Sequence, residues 1–345
     1  MKLTMNLGPN SYDIILKRGA LNNLRHLTDL THRKVMIVTD TGVPREYALG
    51  IQAQCTDGRI CTVPQGEASK SMKVYGQVLG EMLDFGMDRT SLVIALGGGV
   101  VGDLAGFAAA TYMRGIDFIN CPTTTLSQID SSIGGKVAID MGDAKNIVGA
   151  FWQPKLVVID PDTLATLPKR HYINGMAEAI KAGLICDAQL FQLFENGDIY
   201  ADCEEIIYRS LMVKKHVVER DEKENGERKI LNFGHTIGHG IEAVKGIKGR
   251  RTTGLYHGEC VALGMLPMIQ DKQLAKRTRA LYRKIGLPAR CSFNKEKVLE
   301  YMRHDKKSAG NSITVVKVPG LGCWQMEKIS MEKDLPALIG LSGEE

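Results

Sequence analysis

No run of eighteen apolar residues occurs in the 345-residue chain, so the sequence offers no candidate membrane-spanning helix. The opening stretch MKLTMNLGPNSYDI also lacks an apolar segment of signal-peptide length, which sets the expectation of a soluble, cytoplasmic protein with no membrane partner. None of the eight cysteines (Cys55, Cys61, Cys121, Cys186, Cys203, Cys260, Cys291, Cys323) has a partner at metal or redox spacing, so they read as reduced small hydrophobes rather than a disulfide framework. A strong excess of one charge is missing too. Forty-four basic against 39 acidic residues leave a net charge of +5, dispersed along the chain, which argues against a nucleic-acid partner and suits an anionic small molecule. Repeats, low-complexity tracts and long linkers are absent, and the length suffices for two domains with separate cores.

What is present changes character near residue 167. Before it, short β-rich runs, VMIVTD (35–40), SLVIAL (91–96), DFINCP (117–122) and KLVVID (155–160), alternate with helical segments such as KVYGQVLGEMLDFG. Such alternation predicts a Rossmann-like α/β domain over 1–167, with a mostly parallel sheet covered by helices. After it, AEAIKAGLI, EEIIYRSLMVKKHVVERDEKE, LNFGHTIGHGIEAV, GECVALGMLPMIQDKQL and KEKVLEYMRHDKK all read at helical period, which predicts a mainly α-helical domain over 168–345. NSITVVKVPGLGCWQMEK, with β-formers around a Gly-rich turn, predicts one hairpin near the end.

SLVIALGGGVVGDLAGFAAATYMRG sets Gly97, Gly98, Gly99 and Gly102 between a strand and an Ala-rich helix. Small residues there let backbone amides at a helix N-terminus approach a pyrophosphate, although tight strand-to-helix turns also collect glycine for packing. The motif does not follow the first strand, and the acid some twenty residues on, Asp117, begins a strand instead of ending one. Asp40, at the end of VMIVTD, is the better candidate for a ribose contact, and a carboxylate suits the 2′-hydroxyl of NAD.

In LNFGHTIGHGIEA, His235 and His239 stand four apart, about one helical turn, and share a face. The zinc-protease signature needs Glu directly after the first histidine, and Thr236 occupies that place. A metal site, a proton relay and two core histidines all remain open from these residues alone. Other polar residues cluster in ordered-looking segments: Arg114 in TYMRG, Asp130 and Lys136 in QIDSSIGGK, Lys145 and Asn146 in DAKNIVG, Glu178 and Lys181 in GMAEAIKAG, and His257 in YHGECVALGM. Taken singly, each has a bland alternative as a solvated charge, a surface pair or a core histidine.

Together and in this order, GGGVVGDLAGFAAATYMRG, QIDSSIGGK, GMAEAIKAG and LNFGHTIGH resemble the 3-dehydroquinate synthases, over a stretch from about Asp40 to the DKK at 305–307. The resemblance implies that Glu178, His235 and His257 bind a catalytic zinc, with cobalt as a possible substitute, and that His239 faces the substrate. It implies that Arg114, Lys136, Lys181, Lys214, Arg228 and Asn232 line that substrate, that Asp130 and Asn146 fix its polar groups, and that one of Lys306 and Lys307 joins them. For NAD it points to Asp40, Glu67, Lys70, Gly98, Gly99, Val100, Asp103, Thr123, Thr124 and Lys145.

The implied reaction turns 3-deoxy-D-arabino-heptulosonate 7-phosphate into 3-dehydroquinate and phosphate by transient oxidation, phosphate elimination, re-reduction and aldol closure, as a step of the shikimate pathway. One carboxylate and two imidazoles suit zinc and leave coordination positions open for substrate. A polyanionic substrate explains the supply of cations. The resemblance also implies a homodimer. The runner-up is a cyclase for another sugar phosphate. A metal-dependent glycerol or alcohol dehydrogenase ranks behind it, because it would not need so many cationic residues.

Overall fold

The structure, a computed structural model, describes residues 1–142, 144–244, 254–305 and 312–343. It comprises two compact units, Met1–Pro168 and Lys169–Glu345.

The first unit runs β1 (Lys2–Met5), β2 (Tyr12–Leu16), β3 (Lys34–Asp40), α1 (Arg45–Gln52), β4 (Asp57–Val63), α2 (Met72–Asp84), β5 (Leu92–Gly97), α3 (Gly99–Thr111), β6 (Asp117–Pro122), β7 (Lys136–Met141), β8 (Ala144–Phe151) and β9 (Leu156–Ile159). Seven strands form one sheet in the order β1-β2-β9-β6-β5-β3-β4. All neighbours in it are parallel except the β1–β2 pair. The apolar runs read from the sequence are its centre: every residue of β5 and β9 is buried, as strands covered on both faces must be. One layer of core joins Val93, Ala95 and Phe118 to α3, and another joins Ile37, Ile94 and Ile119 to α1. Asp160 closes the unit by accepting from the amides of Gly19 and Leu21 at 2.9 and 3.1 Å.

The fold agrees with the expected α/β unit, with additions the sequence reading did not contain. The edge strands β1 and β4, and β2 beside β1, have too few clustered β-formers to stand out. The separate antiparallel pair β7–β8 is hidden because β8 is mostly exposed and its partner β7 buries only the short run Val137–Ile139.

The second unit contains α4 (Lys169–Ile185), α5 (Ala188–Asn196), α6 (Cys203–Arg220), α7 (His235–Ala243), α8 (His257–Met265), α9 (Lys272–Ile285), α10 (Lys295–Asp305), β10 (Ser312–Gly320), β11 (Cys323–Ser330) and α11 (Asp334–Gly343). The expected hairpin is β10–β11, and its turn is pinned to α4 by the Gly322 amide donating to the Leu184 carbonyl at 2.9 Å. Two expected helices are shorter than their periodicity suggested. Gly234, at φ 80°, breaks the chain just before α7, so Leu231 and Asn232 belong to a preceding 3-10 turn. Pro267, which has no N–H to donate, ends the α8 segment, and Asp271 starts α9 afresh by accepting from the Leu274 amide. Among the described residues no helix is long and apolar enough to cross a membrane.

Helices α7 and α8 cross with backbones almost touching. A Cβ on Gly264 would lie 2.1 Å from the Gly234 carbonyl oxygen, so a side chain there forces the helices apart. Gly264→Ala is therefore expected to destabilise the second unit by roughly 1–3 kcal/mol, the ordinary cost of overpacking, read from the midpoint shift in urea unfolding.

Candidate functional site

Helix α4 carries Glu178 into the interior of the second unit, where its side chain is 1% exposed. Both carboxylate oxygens are buried and accept no well-formed hydrogen bond. Three cationic or potentially cationic groups face them instead. Lys181, one turn along α4, pairs with Oε2, and the Nε2 atoms of His235 and His257 each lie 3.5 Å from Oε1. Burial by itself would raise the Glu178 pKa. Lys181, His235 and His257 outweigh it and hold the carboxylate well below the usual range, so it is ionised.

The two histidines present the same nitrogen for different reasons. His235 opens α7 directly after the break at Gly234, and its Nδ1 lies 3.2 Å from the Phe233 carbonyl, which leaves Nε2 facing Glu178. His257 opens α8, and its Nδ1 lies 3.1 Å from Glu242 Oε2. Burial, with Lys181 next in weight, drives the His235 pKa down to about 3, so this ring is neutral. Burial also disfavours charge on His257, but the Glu178 and Glu242 carboxylates facing its two nitrogens overcome it and raise its pKa to about 10.

The start of α8 is fixed from α4. Asn174 Oδ1 accepts from the amides of Gly258 and Glu259 at 2.7 and 3.3 Å, doing the work of an N-cap from another helix. Arg170 grips Glu259 with two bonds of 2.8 and 2.7 Å and lays its guanidinium 4.0 Å over the Tyr256 ring. These contacts place His257 opposite Glu178.

A buried carboxylate, paired with Lys181 through Oε2 and faced at Oε1 by two imidazole nitrogens, is a donor set that suits zinc or cobalt. His239 offers an alternative third donor, since its ring and those of His235 and His257 present nitrogens within 4.8 Å of one another. Its ring is exposed and one turn beyond His235, with centroids 5.2 Å apart. Glu178 is the stronger third donor because it is a buried anion that the Nε2 atoms of both His235 and His257 face.

Of the expected substrate contacts, Lys181, Lys214 and Arg228 are buried at 3, 8 and 2% exposure. Arg228 is held by Asp221, which accepts from its amide at 3.0 Å, and by the Glu222 carbonyl, which accepts from its guanidinium. Asn232 donates to Glu224 Oε1 at 2.7 Å. Lys306 and Lys307 lie outside the described residues.

In the first unit the glycine turn joins β5 to α3: Gly98 precedes the helix, and Gly99 and Val100 open it. Thr123 ties β6 to this turn through its amide, which donates to the Gly97 carbonyl at 2.9 Å, and Thr124 bonds Ser127 at 2.8 Å. Asp130 belongs to a π-helical turn, Ser127–Ser131, whose last residue abuts Gly99. Asp40 ends β3 and accepts from the Gly42 amide at 2.7 Å, with burial raising its pKa. Lys70, 4% exposed, bonds Asp103 at 2.7 Å, lies 3.8 Å from Glu67 and also bonds Asn146. Asn146 has φ 54° and donates its amide to Asp140 at 2.7 Å, where the β7–β8 register slips. The structure therefore groups Asn146 with Lys70 and Asp103, expected NAD contacts, within this unit. Lys145 is its exposed neighbour on β8, whereas Lys136 begins β7 at the other end of the pair.

Arg114 is not brought to the glycine turn. It follows the C-terminal end of α3, a 13-residue helix about 20 Å long that begins at that turn. It is exposed and, with Met113, has positive φ, a conformation that side chains seldom adopt.

Sequence reasoning missed Glu242, Asn174, Arg170, Glu259, Glu224 and Asp140. Only Glu242 left a legible signal, seven residues after His235 on the same helix face. The others act across 84 or more residues or through irregular backbone.

Solved structures share this architecture over nearly the whole chain. The 2-deoxy-scyllo-inosose synthase complexed with carbaglucose-6-phosphate, NAD+ and Co2+ superposes with a TM-score of 0.87 at 23% identity, covering 98% of this chain and 99% of that one. The 2-epi-5-epi-valiolone synthase of Streptomyces hygroscopicus, with NAD+ and Zn2+ bound, gives 0.84 at 25% identity and 96% of both chains. The fold is one shared by these sugar cyclases and, at lower TM-scores of about 0.6, by glycerol and alcohol dehydrogenases. Residues 60–174 match the family model for the 3-dehydroquinate synthase N-terminal region and residues 175–308 that for its C-terminal region. A 3-dehydroquinate synthase of Streptococcus mutans is 42% identical, with 96% of this chain and 98% of the relative covered. The chain belongs to the 3-dehydroquinate synthase family.

Lys70 is the link that can be broken cleanly. Lys70→Met deprives Asp103 of a charged partner and is expected to lower the unfolding free energy by about 1–3 kcal/mol and to weaken NAD binding. Chemical denaturation and NAD titration check the two effects separately. NAD binding unchanged in a destabilised variant would leave Lys70 a purely structural role.

Proposed function

We infer that this enzyme converts 3-deoxy-D-arabino-heptulosonate 7-phosphate into 3-dehydroquinate and phosphate, within the shikimate route to aromatic amino acids. The observation that carries the reading is the buried, ionised Glu178, paired with Lys181 and with two imidazole Nε2 atoms turned to it. Family membership supplies the substrate. Glu178, His235 and His257 would hold the divalent cation, and Asp40, Glu67, Lys70, Gly98, Gly99, Val100, Asp103, Thr123, Thr124 and Lys145 would hold NAD. When bound, the cation supplies Lewis acidity toward a substrate hydroxyl, and NAD takes a hydride and gives it back.

The chain's own residues do the rest. Lys181 keeps Glu178 ionised, and accepting a cation there requires His257 to give up its proton. Lys214 and Arg228 are buried cations, and in a low-dielectric setting they pair strongly with carboxylate and phosphate. The Glu222 carbonyl holds one arm of the Arg228 fork, which fixes the direction of the rest. Asn232, its donor side engaged by Glu224, offers its amide oxygen to a hydroxyl. Arg114, Asp130, Lys136, Asn146, His239 and one of Lys306 and Lys307 complete the set of substrate contacts in this reading.

The same reading makes the protein a cytoplasmic homodimer with a small anionic substrate and no nucleic-acid or membrane partner. The eight free cysteines support a reducing compartment, and the near-balanced charge supports the small anion.

With heptulosonate phosphate as substrate and NAD in catalytic amount, phosphate release should match substrate consumed, with no lasting rise in NADH absorbance. Sedoheptulose 7-phosphate and glucose 6-phosphate should not turn over. Stoichiometric NADH without phosphate would make the enzyme a dehydrogenase. Prolonged chelation should abolish turnover and zinc or cobalt should restore it; a fully metal-depleted preparation with normal activity would refute the metal assignment.

A further inference from the structure

Helix α7 carries three groups on one side. His235 occupies its first position, His239 follows one turn later, and Glu242 comes seven residues after His235, only about 20° off the same line. The near-contact of α7 with α8 then brings Glu242 to His257, the first residue of α8, at 3.1 Å between Oε2 and Nδ1.

We infer that Glu242 is a positioning residue for the metal site: its carboxylate holds Nδ1 of His257 and so fixes the tautomer and ring direction that turn Nε2 toward Glu178. The inference rests on the metal reading given above. Three observations support it. The His257 side chain is 30% exposed, twice the 15% of His235, so packing constrains it less. The far nitrogen of His235 is held by a backbone carbonyl, which no side-chain substitution removes, whereas the far nitrogen of His257 is held by a side-chain carboxylate. The two rings nevertheless present the same nitrogen at the same 3.5 Å from Glu178 Oε1. A carboxylate on the far nitrogen of a ligand imidazole also raises its basicity and hence its strength as a donor.

The bland alternative is that Glu242 only ties α7 to α8. The two roles differ in what they move. In the full chain, zinc affinity measured by competition with a chromophoric chelator should fall about 10–100-fold for Glu242→Ala. Glu242→Gln should fall less, because its amide oxygen can still accept from Nδ1 while the charge is lost. The visible spectrum of the cobalt-loaded protein should change in both variants, with NAD affinity and the unfolding midpoint of the metal-free protein close to the parent. Should Glu242→Ala fail to fold, the near-isosteric Glu242→Gln carries the test. His257→Ala, measured in parallel, separates the two levels. If it loses zinc while both Glu242 variants bind as tightly as the parent, the positioning role is wrong and the metal site stands. If the parent binds no zinc, or His257→Ala binds it unchanged, the metal reading falls and this inference with it.

Discussion

A carboxylate buried at 1% exposure is expensive to keep ionised, and the second unit is organised around that cost at Glu178. Desolvation pushes the proton on, while Lys181 and the imidazoles of His235 and His257 push it off. The balance requires three helices in fixed relation: α4 for the acid and the lysine, α7 for one imidazole, α8 for the other. Asn174 capping α8, Arg170 gripping Glu259 and the glycines at the α7–α8 crossing all serve that relation. With the charge absent, the cluster would be three histidines from two helices; with it, they surround a buried anion.

The first unit solves a different problem. Its parallel sheet delivers the ends of β3, β5 and β6 as Asp40, the glycine turn and Thr123, all from the carboxyl ends of strands, where open α/β sheets bind ligands. Lys70 then joins the Glu67 turn, α3 and β8 through one ammonium group. Its three donors are largely spent on protein, and they hold Asp103 and Asn146 in place.

Strain is stored where the chemistry is expected. Asn146, Met113 and Arg114 have left-handed backbone without being glycine, and Glu224, the partner of Asn232, does too. Asn146 is compensated by Asp140 and Lys70. The pair at Met113 and Arg114 ends in Gly115, whose own φ of 117° keeps the chain turning and leaves room for the Trp152 ring.

The sequence by itself determined the residue types and their local frames. Dense β-branched runs had to become buried parallel strands, the four-residue spacing of His235 and His239 had to place them one turn apart, and the motif order was specific enough to identify the family. Tertiary structure alone decided what those residues face. The edge strands, the slipped register that sets Asn146 beside Lys70, the distance of Arg114 from the glycine turn and the choice of Nε2 on both imidazoles depend on partners brought close by packing. Lys70 and Asn146 are 76 residues apart, and Asn174 and Gly258 are 84. Periodicity reports which side of a helix is apolar. Which atom of a second helix meets it depends on where two backbones can approach, and that is a property of the packed chain.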